Sequence, residues 1–312
     1  MIINNLILFI TTIYAINTVQ AIEKTIFKAQ SVSGERRSSA PYLSGDTFRA
    51  VADHIIENKD LSFSPEKILY GAIIFCKTDV LAFFFSSVHP RITSGYVLIT
   101  HNSDAPVPDR FASFLDDDKL LAWFGLNVEN YTHEKLHPLP IGLANKYWKH
   151  GDTEIFDLVK AQSLTVSKDI LVNMSFSVNF AYPDHIVAER YKLFNQFYEQ
   201  PFCLTFYPTN LADYLFDHAR SKFVLSPRGN GLDCHRTWEA IYMGSIPIVR
   251  TSSLDPMFEK LPVLIINDWK EVTYDFLQKK YDEMSAKNYQ LEKLYIPYWI
   301  ERLNSFKREA RE

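Results

Sequence analysis

The chain has 312 residues, 47% of them hydrophobic and 14% aromatic, with a formal net charge of −4. That length and apolar content suffice for two ordinary domains and exclude a disordered chain, and the lack of a basic excess argues against nucleic acid as a partner. Three cysteines, Cys76, Cys203 and Cys234, are too few and too scattered for a disulfide scaffold or a structural metal site, although one bridge stays open.

Residues 1–21 contain a short apolar run, NLILFITTIYAINTVQA from Asn5 to Ala21, that ends in small residues with Val19 and Ala21 at cleavage-type positions. Asn4, Asn5 and Asn17 hold the apolar stretch below the length a bilayer requires, so a signal peptide or anchor-like segment is expected rather than a spanning helix. It lacks a positively charged start. This reading places the protein in the secretory pathway, in a Golgi-type lumen, or at a membrane through this segment. If the segment is not an export signal, a cytoplasmic face follows. Residues 22–45 are Ser-rich with Arg36-Arg37 and read as a linker, with order beginning near Gly45.

An N-terminal α/β domain is expected over 46–165. Gly71–Cys76 reads as a buried strand, Thr78–Val88 as a helix capped by Thr78 or Asp79, and Tyr96–Thr100 as a second buried strand running into His101-Asn102-Ser103-Asp104. A short helix at Phe111–Leu115 and a strand at Lys119–Trp123 follow. Between them Asp116-Asp117-Asp118 reads as a solvated turn rather than a metal site, because no further ligands are spaced around it. Leu139–Leu143, beside Pro138 and Pro140, reads as an edge or loop.

A second α/β domain is expected over 166–312. Strands are predicted at Ile170–Phe176, Phe202–Tyr207, Lys222–Leu225, Ile246–Val249 and Val263–Ile266, with helices near 184–198, 210–219, 235–244 and 255–260. That alternation implies a parallel, doubly wound sheet whose ligands bind beyond the carboxyl ends of its strands. Residues 271–312 read as charged amphipathic helices anchored by Trp269, Tyr281, Tyr295 and Trp299.

The most informative stretch is KFVLSPRGNGLDCHRTWEAIYMGSIPIVR at 222–250. Gly229 and Gly231 suit a tight turn, or positive φ, that brings backbone N–H groups close to a ligand. Arg228 offers a planar fork for phosphate oxygens. Asp233 is the expected N-cap of a helix whose start adds partial positive charge, and Cys234 reads as a small packed residue. His235, Arg236 and Glu239 fall at helical spacing, giving two phosphate donors and one carboxylate suited to the hydroxyls of a ribose, while Trp238, Ile241 and Tyr242 belong to the core.

SPRGNGLDCHRTWEAIYMGSIPIV resembles the C-terminal signature of the exostosin-like glycosyltransferases. YVLITHNSDAPVP at 96–108 and LPIGLANKYWKHGD at 139–152 resemble segments of that family's shorter microbial and viral relatives. The likeness covers roughly 70–270 and is strongest at its end. It implies GT-B architecture, two Rossmann-like domains facing across a cleft, with a nucleotide-sugar donor and a glycan acceptor. Arg228, Gly229, Asn230, Gly231, His235 and Arg236 would bind the donor diphosphate, Glu239 the ribose, and the acceptor would lie on the N-terminal side.

Sugar transfer needs leaving-group stabilisation and, if inverting, a base. Cationic groups here serve the first need without a metal or other cofactor. Asp104 and His101, after a buried strand, are the leading catalytic candidates, with Asp184, His185, His150 and Asp152 behind them. Asn173, Ser175 and Arg190 stand where a nucleotide is reached. The alternative is a non-catalytic nucleotide-sugar or glycan-binding module. A nucleotide-cofactor oxidoreductase would need GxGxxG after the domain's first strand, where Phe176-Ser177-Val178-Asn179 stands instead.

Overall fold

A computed structural model of the chain describes residues 36–178, 183–205 and 210–308. The signal-like segment and most of the Ser-rich linker lie outside the described residues. Packing begins before Gly45, in residues read as linker: Ser39 and Leu43 are fully buried and Arg36 pairs with Asp46. Helix α1 (Gly45–Ala50) is capped by Ser44, whose hydroxyl accepts the Thr47 N–H.

The fold is α/β, built on two five-stranded parallel sheets. In the first, β1 (His54–Ile56), β2 (Ala72–Lys77), β3 (Tyr96–His101), β4 (Leu120–Gly125) and β5 (Leu136–Pro138) lie in sequence order. All six residues of β3 are buried, as a strand covered on both faces must be. Alternation along β4 shows the two coverings. Trp123 packs on Phe85 from the β2–β3 connection, and Phe124 packs on Phe306 from the end of the chain. The predicted helix at 78–88 is irregular, with 3₁₀ turns at Thr78–Val80, one α-turn at Leu81–Phe83 and a π-helical stretch at Phe84–Val88. Phe84 and Phe85 are both buried, a demand poorly met by a regular helix that turns neighbours about 100° apart.

After α2 (Thr153–Ser163), which the sequence reading missed, comes the second sheet. Its strands are β6 (Ile170–Met174), β7 (Cys203–Thr205), β8 (Ser221–Leu225), β9 (Ile246–Arg250) and β10 (Leu264–Ile266), in the order β10-β9-β8-β6-β7. The intervening helices are α3 (Asp184–Phe197), α4 (Leu211–Arg220), α5 (His235–Tyr242) and α6 (Asp255–Phe258), close to their predicted places, and α7 (Tyr274–Ser285) and α8 (Ile296–Arg308) close the chain.

The two sheets differ in winding. Strand order in the second reverses at β6, which makes the crevice beyond the ends of β6 and β8 its natural ligand site. The first sheet has no reversal, so what it brings to a site comes from loops after its strands. Both sheets share buried material: α7 packs Leu277 and Met284 on the second sheet, whereas α8, expected with the second half, crosses back to the first. Its Trp299 meets Phe48 at 6.1 Å between ring centroids. The Tyr242 hydroxyl accepts the Leu43 N–H and donates to the Leu294 carbonyl, joining α5 to the segments that precede α1 and α8. Among the described residues no helix is long and apolar enough to cross a membrane.

Candidate functional site

A cleft of about 750 Å³ lies beyond the carboxyl ends of strands from both sheets, a size typical of small-molecule sites. From the second sheet it is lined by Ser177 after β6, by Gly229-Asn230-Gly231 after β8 and by the first turn of α5; from the first, by Asp104 after β3 and Ile141 after β5. Lys149 and His150 enter from the segment before α2, and Asn210 and Tyr214 from the start of α4. These are the crevice and loop families that the sequence pattern pointed to.

The glycine loop works differently from the expectation. Neither Gly229 nor Gly231 adopts positive φ; that geometry occurs at Gly142 and Gly244, the latter ending α5 as anticipated. Gly231 is needed for close approach, since a Cβ there would stand 2.6 Å from the Asn127 amide nitrogen. Asp233 is not the N-cap either. Cys234 takes that place in extended conformation, so Asp233 falls one residue outside the helix. Its carboxylate instead accepts N–H groups from Cys234, Trp238 and, across the cleft floor, Ile141, each at 2.8 Å. Burial nevertheless pushes Asp233 up to about 6.

Along α5, Arg236 and Glu239 face the cleft one turn apart. Nε and Nη1 of Arg236 are buried with no hydrogen-bond partner among the described residues. Its guanidinium lies 5.8 Å from the Phe176 ring, as does that of Arg190, which donates to the Arg228 and Ser177 carbonyls. Glu239 is 4% exposed and accepts a 2.7 Å hydrogen bond from the Tyr214 hydroxyl. Burial raises its pKa, and the nearby Tyr214, Arg236 and His150 oppose that. His235, half-buried, points its ring at the first sheet: Nδ1 lies 2.8 Å from the Gly142 carbonyl oxygen.

Two candidates sit elsewhere. Arg228 does not line the cleft. Its Nη1 donates to Glu129 at 2.7 Å and Nη2 to the Asn230 carbonyl, so it ties the loop to the first sheet. His101, 2% exposed, also lies off the cleft. Its Nε2–H donates to the Pro140 carbonyl and its Nδ1 accepts the Asn102 N–H, while burial holds it down to about 4. With both nitrogens engaged it has no lone pair for a substrate, which removes it as a base.

Asp104 does line the cleft, from the first-sheet loop after β3. Of the weaker candidates, His150 lines it too; Asp152 caps α2 by accepting the Glu154 and Ile155 N–H groups, His185 is exposed on α3, and the Asp184 side chain lies outside the described residues.

Sequence reasoning missed Tyr214 and Asn127. Asn127 accepts the Asp233 N–H and donates to the Asp104 carbonyl, clasping both sides of the cleft. Its φ of 55° marks an Asn in a left-handed turn, which an Asn after an apolar strand signals only weakly. Tyr214 was detectable as one turn into a helix capped by Asn210. All three cysteines are free, and burial raises the Cys234 thiol, in keeping with a packed residue rather than a nucleophile. Among the described residues no three His, Cys, Asp or Glu side chains cluster to hold a metal. No protein-family model matches the chain, and no curated protein matches it closely enough to carry an inference.

Proposed function

We propose that the chain is a glycosyltransferase of GT-B type that moves a sugar from a nucleotide-sugar donor to a hydroxyl of a glycan acceptor, with inversion and without a metal. One observation carries the donor half of this reading. Arg236 has a guanidinium whose buried Nε and Nη1 have no acceptor among the described residues, in a cleft at the reversal point of a doubly wound sheet. Leaving a buried charge without hydrogen bonds is costly, and a ligand anion removes that cost.

The diphosphate then rests against the Gly229–Gly231 loop and the start of α5, where backbone N–H groups and the helix end favour negative charge. Glu239, one turn further in and held by Tyr214, accepts the ribose hydroxyls. The sugar extends toward Asp104 and the first-sheet loops, where the acceptor enters. As its bond to the diphosphate breaks, charge on the leaving oxygen is met by Arg236, whose Nε and Nη1 are buried.

A thermal-shift screen of UDP and GDP sugars tests the donor half, since binding to the folded state alone raises the melting temperature. One nucleotide series should stabilise the chain, and that nucleotide sugar should then glycosylate members of a glycan panel. No stabilisation by any of them at millimolar concentration ends the proposal. Stabilisation without transfer leaves the non-catalytic nucleotide-sugar module.

A further inference from the structure

We propose that His235, through Nε2, is the base that takes the proton from the acceptor hydroxyl; this rests on the transferase reading of the cleft. Its motif position suggests a phosphate ligand, but its hydrogen bonding points elsewhere. A carbonyl oxygen only accepts, so the 2.8 Å contact with Gly142 requires the hydrogen on Nδ1. A neutral imidazole has one N–H, which leaves Nε2 with a bare lone pair. Nε2 has no hydrogen-bond partner among the described residues, and His235 lines the cleft. A bare lone pair repels a phosphate oxygen and accepts from a hydroxyl.

The carbonyl that fixes this tautomer is itself fixed. Gly142 has φ of +64°, and a Cβ there would stand 2.2 Å from the Leu43 carbonyl oxygen, so only glycine fits this turn. The ring is thereby held on the acceptor side. Arg236 is the next residue on α5, and neighbours on a helix face directions about 100° apart. Arg236 accordingly lies by Phe176 on the second sheet while His235 reaches the first. Deprotonation of the nucleophile and neutralisation of the leaving group fall on different sides of the sugar, as inversion requires.

The charged and titratable groups around His235 suit a base. Burial, helped by Arg236, lowers its pKa against the hydrogen bond to Gly142, whereas Asp104, from the loop after β3, favours the protonated form once the proton has moved. His101, at the end of β3, and His150, before α2, both have lowered pKa values and add little positive charge near neutrality. Asp104 therefore acts through His235 as a charge-stabilising residue. In the step itself the acceptor O–H proton passes to Nε2 and the acceptor oxygen bonds to the anomeric carbon. The bond from that carbon to the diphosphate oxygen breaks, and its electron pair leaves on the nucleoside diphosphate.

His235→Asn supplies the test, because an Asn amide replaces Nδ1–H toward Gly142 and puts nothing at Nε2. The variant should bind UDP or GDP, whichever stabilises the wild type, within about threefold, while kcat for transfer falls at least about 100-fold. The acidic limb of the wild-type pH profile should vanish with it. Long-range proton–nitrogen NMR of the wild type should show the His235 hydrogen on Nδ1 and a bare Nε2 near neutral pH. Three results overturn the proposal: wild-type kcat in the variant, weakened nucleotide binding with kcat unchanged, or a hydrogen on Nε2 in the free protein. The first two leave the transferase reading standing, whereas a wild-type chain that neither binds nor transfers a nucleotide sugar removes both.

Discussion

Asn127 occupies the space that a side chain at Gly231 would need: its Nδ2 is 2.6 Å from the position of a Cβ there. The amide is 1% exposed and anchored by the Asp233 N–H and the Asp104 carbonyl, so it cannot swing aside freely. Gly231→Ala should therefore destabilise the fold by roughly 1–3 kcal/mol in urea melts. At Gly229 the nearest atoms to a Cβ are 3.5 Å and 3.6 Å away, ordinary contacts, and Gly229→Ala should stay within about 0.5 kcal/mol. Equal effects would contradict the division of labour between the two glycines.

That division also marks where the sequence stopped being readable. The five strands of the second sheet are short apolar runs bounded by turn residues, and α3 to α6 carry helical periodicity, so local pattern located them. The cleft-facing positions of Glu239 and Arg236 followed from helical spacing alone. Arg228 and His101 did not follow, because their roles are set by Glu129, 99 residues earlier in sequence, and by the Pro140 carbonyl, 39 residues later. A pairing that distant leaves no local pattern. Helix α8 was misplaced for the same reason: amphipathicity tells that Trp299 is buried, and not which sheet it covers.

Glu239→Ala should cost nucleotide affinity and not the fold. A carboxylate hydrogen bond to a ligand hydroxyl is worth about 1.5–3 kcal/mol, or roughly 10- to 150-fold in Kd. Tyr214→Phe removes only the bond that orients Glu239, and a smaller loss is expected. Calorimetric titration with the stabilising nucleotide separates the two. Unchanged affinity in Glu239→Ala would sink the ribose assignment.

His101 predicts an acid-sensitive fold. Its folded pKa is lowered to about 4, below the ordinary value of about 6.5 that the unfolded chain recovers. Between those values the unfolded state binds a proton that the native state refuses. The contribution is thus complete above about pH 6.5 and is lost as pH falls toward 4, by about 3 kcal/mol in total. Buried His218, held down to about 3, acts in the same direction. Burial is the main cause, and the bonding agrees with it: a proton on Nδ1 of His101 would face the Asn102 N–H, donor against donor. Urea melts from pH 7.5 to 4.5 should show the decline, and His101→Gln should flatten it. An imidazole at 101 that titrates near 6.5 by NMR would reverse the conclusion and restore it as a candidate base.

Two arginines eight residues apart should part company under mutation. Arg228 is about one-quarter exposed and already paired with Glu129, so its replacement by Ala removes a partly screened ion pair. A loss of up to about 1 kcal/mol in stability and less than about fivefold in turnover should follow. Arg236 is the reverse case. Its buried Nε and Nη1 have no acceptor among the described residues, so Arg236→Ala relieves an unsatisfied charge and should hold or raise the melting temperature of the free protein. In the presence of donor the same change removes the group that meets the leaving diphosphate, and kcat/KM should drop on the order of 100-fold or more. Stability kept while activity falls is the signature of a side chain maintained for a ligand. Were Arg236→Ala to unfold the protein and Arg228→Ala to abolish transfer, the anion site would belong on the Glu129 side of the loop.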